Sequence, residues 1–152
     1  MSTPVLNERF AESGGEAVEV DGLTVHPMFR AEIRDGDEVR VFFESAAADR
    51  EQGLVVKVTD GELDVGGQRA QSFLLWRDES PTDVELLSRG EGELRVWNAW
   101  RSDGLIEEWS GNAGVLVEDD GETVTLHMSD GIGEPSFDDL VVNLEIARAG
   151  SE

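Results

Sequence analysis

The sequence predicts an all-β protein, a jelly-roll-like antiparallel β-sandwich of about ten strands. Short runs of alternating apolar and polar residues recur along the chain, and this period of two is typical of half-buried strands. The dipeptide Asp-Gly occurs six times, mostly between such runs, and it suits tight turns because both residues tolerate positive φ. Helical periods are weak, although residues 7–17 are compatible with a short helix and residues 46–52 with a single turn.

Asp-Gly pairs group six of the predicted strands into three β-hairpins. The clearest hairpin turns at Asp120-Gly121, because apolar residues alternate on both sides of that pair. The other two turn at Asp35-Gly36 and Asp60-Gly61. The predicted strand pairs are 29–33 with 39–43, 54–58 with 63–65, and 115–117 with 124–128.

Four further runs complete the set of predicted strands. Residues 72–77 are apolar on both faces, which is typical of a central strand. Residues 83–88 and 93–100 alternate apolar and polar positions, and residues 140–146 form a regular last strand.

One domain is the natural organisation for a chain of 152 residues. We expect a flexible N-terminal segment over residues 1–15, a single sandwich domain over residues 16–148, and a polar tail over residues 149–152, because both ends are polar and rich in small residues. The chain has no cysteine, which excludes disulfides, thiolate catalysis and zinc–thiolate sites.

The charge of the chain predicts the solvent in which it works. Thirty-four acidic residues face twelve basic ones, the net charge is −22, and Lys57 is the sole lysine. Such a chain repels itself in dilute buffer, whereas at molar salt the Debye length falls to about 3 Å and the repulsion is screened. The composition therefore predicts a halophilic protein, of haloarchaeal type.

The same composition bounds the location and the partners. The first nine residues lack the basic and apolar regions of a secretory signal, so we expect a cytoplasmic protein. No apolar run approaches the roughly 20 residues of a membrane span. A strongly negative chain with scattered arginines is not expected to bind nucleic acid, since phosphate contacts need a basic patch.

Residues 129–139 form the first candidate site, a loop that combines acids with glycines. Clustered carboxylate oxygens beside flexible glycines suit Ca²⁺, although the spacing is not that of an EF-hand. The same acids can instead bond loop amides or be solvated, and four acids in eleven residues is a mild enrichment in this chain. The candidate metal ligands are Asp130, Glu134, Asp138 and Asp139.

Tryptophans form the second candidate site, because indole rings on a sandwich face can stack on flat ligands. Trp97 and Trp100 lie three apart in one strand and must point to opposite faces. Core or loop packing is the preferred interpretation, since large apolar side chains usually lie inside. The candidate ligand-binding residues are Trp97, Asn98, Trp100, Trp109 and Asn112.

His127 is the third candidate, as a partner of Asp130 in acid–base chemistry. A lone histidine on a polar strand face is more often a solvated residue. The chain has no G-x-S-x-G elbow and no phosphate-binding glycine loop, so no nucleophile or nucleotide motif supports an enzyme.

Four segments carry a resemblance to known proteins: LLWRDESPTDVEL, LRVWNAWR, WSGNAGVLVE and SDGIGEPSFDDLVVNLEI. Over residues 73–146 the chain resembles an uncharacterised family of bacterial and haloarchaeal β-proteins with a Trp-Asn strand and a C-terminal SDG…FDDLV segment. That resemblance implies a shared fold without an activity. Residues 137–142 also resemble, more loosely, the last strand of jelly-roll carbohydrate-binding modules, where an acid near this strand helps to hold a structural Ca²⁺.

These observations favour a non-enzymatic cytoplasmic domain that binds a small ligand or a protein partner, with Ca²⁺ in the acidic loop as the one cofactor to consider. Two alternatives stay open. One is a small hydrolase or isomerase that uses His127 and Asp130 as its acid–base pair. The other is a structural subunit of a homo-oligomer, for instance a homodimer.

Overall fold

A computed structural model of the chain describes residues 6–20, 22–47, 50–102, 104–109, 111–131 and 136–149. Over these residues the chain forms one short helix, α1 (Leu6–Glu12), and fourteen strands. In chain order the strands are β1 (Val18–Val20), β2 (Leu23–Val25), β3 (Phe29–Ile33), β4 (Glu38–Ala46), β5 (Gln52–Val58), β6 (Glu62–Val65), β7 (Gln68–Ala70), β8 (Ser72–Trp76), β9 (Asp83–Arg89), β10 (Gly92–Ser102), β11 (Leu105–Glu107), β12 (Gly114–Asp119), β13 (Val124–Ser129) and β14 (Leu140–Ala147).

The strands form three antiparallel sheets, and the predicted all-β, sandwich-like fold is confirmed. A seven-stranded sheet has the order β12-β13-β14-β4-β9-β6-β7. A five-stranded sheet has the order β11-β10-β5-β8, with β3 also paired to β10, and β1 and β2 form a separate pair. The two large sheets share one core, to which Leu54 and Leu94 contribute from the smaller sheet and Phe43 and Leu126 from the larger.

All ten predicted strands are present, although β8 lies at the edge of its sheet and not at the predicted central position, and the four others have three residues each. These four are β1, β2, β7 and β11. A three-residue strand shows at most one full alternation of apolar and polar positions, so periodicity does not reveal it.

One predicted hairpin is confirmed and two are wrong. β12 and β13 pair as predicted around Asp120-Gly121, with Asp119 opposite Val124. β3 pairs with β10 rather than with β4, and β5 pairs with β10 and β8 rather than with β6. The Asp35-Gly36 and Asp60-Gly61 turns therefore carry the chain from one sheet to the other. An Asp-Gly pair predicts the backbone of a turn, but it does not predict whether the next strand returns alongside or crosses the sandwich.

β10 is the central strand of the five-stranded sheet. One of its edges pairs with β5, while the other pairs with β3 over residues 92–96 and with β11 over residues 100–102. Leu94 and Val96 point into the shared core, so Arg95 and Trp97 point to the outer face of the sheet.

Both ends of the described chain are attached to the sandwich. The main-chain N–H of Leu6, a buried residue, donates to Asn112 Oδ1 at 3.1 Å. At the other end, Arg148 Nη1 and the Ala149 amide each donate to the buried carboxylate of Asp37 at 2.8 Å. Leu6, within the predicted flexible segment, thus contacts the domain, whereas residues 1–5 and 150–152 lie outside the described residues.

No helix in the described part of the chain combines the length and the apolar character needed to cross a bilayer.

Candidate ligand-binding site

An apolar cluster lies on the outer face of the five-stranded sheet. Trp97 on β10 stands opposite Val55 on β5, which stands opposite Leu74 on β8. Side chains directly opposite one another on neighbouring strands are in contact range. Ala99 and Met28 pack into the same cluster, which is separate from the shared core.

Trp109 covers the outer side of Trp97. The two ring centroids are 4.6 Å apart with a 32° angle between the planes. Trp97 is 5% exposed, whereas Trp109 is 44% exposed. The ring of Trp97 is also held by a hydrogen bond from Nε1 to Glu108 Oε2 at 2.7 Å. The buried Trp97 thus supports the ring of Trp109, which is accessible to solvent.

Trp109 has an unusual backbone. Its φ is +54°, and it is the sole residue other than glycine with a positive φ among the described residues. The left-handed region costs an ordinary side chain roughly 1–2 kcal/mol. Backbone strain of this kind clusters at functional sites, where the surrounding contacts maintain it.

A groove of about 380 Å³ opens beside Trp109. This volume lies within the range of small-molecule sites, roughly 300–1,000 Å³. The described residues that line it, which define the Trp109 groove, include no acid and one charged side chain, Arg30. They are Asn7, Phe10, Ala11, Gly15, Pro27, Met28, Arg30 and Trp109.

A row of basic side chains crosses the same outer face next to the groove. Arg95 on β10 stands opposite Arg30 on β3 and opposite Lys57 on β5. Arg95 Nε lies 2.7 Å from Glu93 Oε1. Within the described part of the chain, Arg30 and Lys57 form no ion pair. We call Arg30, Arg95 and Lys57 the basic row.

The structure divides the predicted ligand-binding residues between two faces. Trp97 and Trp109 are together on the outer face. Asn98 and Trp100 alternate with Trp97 along β10, are buried on the opposite face, and therefore do not face the groove. Asn98 Nδ2 donates to the Ser129 carbonyl at 2.9 Å, and Trp100 Nε1 donates to Glu107 Oε2 at 3.2 Å.

Asn112, the fifth predicted residue, has a structural contact. Its side-chain oxygen accepts the hydrogen bond from Leu6 that holds the start of α1. α1 in turn supplies Asn7 and Phe10 to the groove. Sequence reasoning missed these two residues and Met28, because their only signal is apolar character within short segments that lack a clear period.

The acidic loop at residues 129–139 has internal partners for two of its four predicted metal ligands. Asp130 is 1% exposed, and its Oδ2 lies 3.0 Å from Arg50 Nη1 and accepts from Gln52 Nε2 at 3.0 Å. Asp139 Oδ2 accepts from the Asp130 amide at 2.9 Å. Asp138 is exposed.

Glu134, the remaining predicted ligand, lies outside the described residues. In the part of the chain that is described, no three His, Cys, Asp or Glu side chains are grouped as a metal would need. The calcium site over all four acids stays a prediction.

His127 lies on the outer face of the seven-stranded sheet, next to a different carboxylate from the one predicted. Its Nε2 is 2.9 Å from Glu118 Oε1, although the two groups are not aligned as a hydrogen bond. Asp130 contacts Arg50 and Gln52. The contacts of the described residues do not join His127 to Asp130 as an acid–base pair.

Comparison of the chain with protein-family models, with curated proteins and with solved structures finds no match. The Trp109 groove and the basic row therefore carry the functional conclusion.

Proposed function

We propose that the protein is a non-enzymatic binding domain that holds a small, flat, ring-containing ligand in the Trp109 groove. The observation that carries the proposal is the half-exposed Trp109 ring, stacked 4.6 Å from the buried Trp97 and forming one wall of an apolar groove of about 380 Å³. Aromatic rings that stack contribute about 0.5–1.5 kcal/mol beyond the area they bury.

The other walls suit a ring of this kind. Phe10 on α1 provides a second aromatic surface, and Met28 is an unbranched, polarisable side chain that adapts to ligand shape. Trp109 packs against Trp97, whose own ring is held by Glu108, so Trp109 loses little freedom when a ligand binds.

The proposal predicts that N-phenyl-1-naphthylamine, a neutral dye with a naphthyl and a phenyl group, binds at a single saturable site in about 2 M KCl, where surface repulsion is screened. Trp109→Ala should weaken this binding about tenfold, because a lost stacking contact near 1.4 kcal/mol corresponds to that factor. The measurement is dye fluorescence titrated against protein, with circular dichroism to verify that the variant is folded.

Phe42→Ala is the matched control. Phe42 is 42% exposed, almost the same as Trp109, and it borders a separate cavity of about 460 Å³ on the seven-stranded sheet. Binding that survives Trp109→Ala but is lost in Phe42→Ala would locate the dye in that other cavity and would refute the proposal. A lack of saturable binding in the unmodified protein would refute it as well.

We also propose that the protein works in molar salt, which its net charge of −22 with a single lysine supports. A resident Ca²⁺ at Asp130 is not included, because the Arg50 guanidinium beside that carboxylate would repel it.

A further inference from the structure

The basic row brings three like charges together on the outer face of the five-stranded sheet, in a strongly negative protein. Neighbouring strands lie about 4.8 Å apart, so the Cα atoms of the basic row span roughly 10 Å. The whole chain has twelve basic residues and thirty-four acidic ones. Three of the twelve stand side by side in this row.

This arrangement disfavours folding unless something compensates for it. Like charges directly opposite one another destabilise a sheet. Glu93 compensates Arg95, but the neighbouring acid Glu32 contacts Arg34 at 3.5 Å instead of the row. Arg30 and Lys57 form no ion pair in the described part of the chain.

Arg30 connects the basic row to the Trp109 groove. It lines the groove together with Met28 and Trp109, and it is the cross-strand neighbour of Arg95. It also lines an adjoining cavity of about 340 Å³ that shares Pro27 and Met28 with the groove. A ring stacked on Trp109 would therefore direct one of its substituents toward the guanidinium group.

We infer that the ligand is a small aromatic anion, whose ring occupies the Trp109 groove and whose phosphate, sulfonate or carboxylate group contacts the basic row. The inference rests on the proposed function and specifies its ligand class. A guanidinium presents paired donors that match such oxyanions. Direct contact is essential, because at molar salt the Debye length of about 3 Å removes any attraction over a longer distance.

The test compares two dyes with the same ring skeleton. 1-Anilinonaphthalene-8-sulfonate is the anionic counterpart of neutral N-phenyl-1-naphthylamine, and each is titrated with the protein in about 2 M KCl. The quantity of interest is the ratio of the two dissociation constants, which removes the shared contribution of the rings. Arg30→Gln and Lys57→Gln should each weaken binding of the anionic dye relative to the neutral dye by about three- to tenfold, the range for a partly exposed charged contact.

Arg69→Gln is the control with the same change in net charge. Arg69 lies on β7, at the edge of the seven-stranded sheet, beside Asp64. It should leave the ratio unchanged. Lys57→Gln should also leave binding of the neutral dye unchanged, because Lys57 does not line the groove.

Each failure has a distinct signature. A ratio that stays constant in Arg30→Gln and Lys57→Gln, while Trp109→Ala still weakens binding of the neutral dye about tenfold, would overturn the anion inference and leave the proposed function intact. An equal shift in Arg69→Gln would assign the effect to net charge and overturn the inference too. Failure of the neutral dye to bind would refute the proposed function itself.

Discussion

Asp37 holds the C-terminal part of the described chain to the turn between β3 and β4. Burial alone would raise the pKa of its carboxyl group. Hydrogen bonds from the Ala149 amide, from Arg148 and from the Arg34 amide outweigh that effect, so the pKa lies below its ordinary value. The ionised carboxylate is therefore more stable in the folded protein than in the unfolded chain, and it contributes to stability.

The lowered pKa of Asp37 sets the direction of a pH effect. Its contribution is complete above the unfolded pKa of about 3.9 and is lost as the pH falls through the lower folded value. Asp37→Asn should lower the free energy of unfolding by about 1–3 kcal/mol near neutral pH, because it removes the charge and one acceptor from a buried group. The difference between the variant and the unmodified protein should shrink in acid. Urea melts between about pH 3 and 7 measure both effects.

Asp78→Asn is the comparison for this prediction, since Asp78 is exposed and makes no hydrogen bond or ion pair among the described residues. It should behave like the unmodified protein at every pH. A constant deficit of Asp37→Asn across the pH range would show that the carboxylate is not the group that titrates.

The residues of the candidate site could be predicted only in part. Alternation along residues 93–100 correctly separates Trp97 from Trp100, because the period of a strand is local. The contact between Trp97 and Trp109 depends on how the segment after β11 folds back, which no local pattern records. The basic row was missed for a similar reason, since Arg30, Arg95 and Lys57 are far apart in sequence and become neighbours only through strand register.

At the scale of secondary-structure elements, the turns determine which strands become neighbours in a sheet. The sequence predicts where ten strands lie, because apolar alternation is a property of each strand by itself. Two of the three predicted hairpin pairings are wrong, because a strand that faces the shared core has the same apolar alternation whichever sheet it joins. The turn at Asp60-Gly61 carries the chain from one sheet to the other, and there the backbone of Gly61 passes close to that of Arg89.

Gly61 is required at this crossing for two reasons. Its φ is +79°, and a Cβ atom there would lie 2.5 Å from the carbonyl oxygen of Arg89. Gly61→Ala should therefore destabilise the protein by about 3 kcal/mol or more, since a contact with backbone is added to the conformational cost of roughly 1–2 kcal/mol. Thermal or urea unfolding measures the loss.

Gly66→Ala separates the two reasons. Gly66 also has a positive φ, +58°, but nothing lies within 4 Å of a Cβ placed there. It should show the conformational cost alone, about 1–2 kcal/mol. Equal losses in the two variants would mean that the turn at Gly61 relaxes and that the close approach is not a constraint.

The whole molecule should need salt. Folding brings a net charge of −22 into a smaller volume, so the repulsion is greater in the folded state. Thermal stability should fall steeply below about 0.5 M KCl, because the Debye length grows to about 10 Å at 0.1 M and the repulsion between carboxylates is then screened less. Melting followed by circular dichroism from dilute to molar KCl measures this, and a flat profile would refute the halophilic proposal.

Added calcium distinguishes general charge screening from binding at a specific site in the acidic loop. General screening should make millimolar CaCl₂ ineffective at about 2 M KCl. A rise in the melting midpoint under those conditions that is lost in Asp138→Asn would restore the predicted site in the acidic loop.

β14 joins the two parts of the seven-stranded sheet. It lies between β13 and β4, so β12–β13 and β4–β9–β6–β7 belong to one sheet only through it, although it is the last strand along the described chain. While the ribosome is extending the nascent polypeptide, the bonding edges of β4 and β13 stay uncovered until residues 140–147 have been made. Uncovered edges are where incomplete chains associate. The edges of β4 and β13 are therefore where a chain that still lacks β14 is expected to associate with another copy.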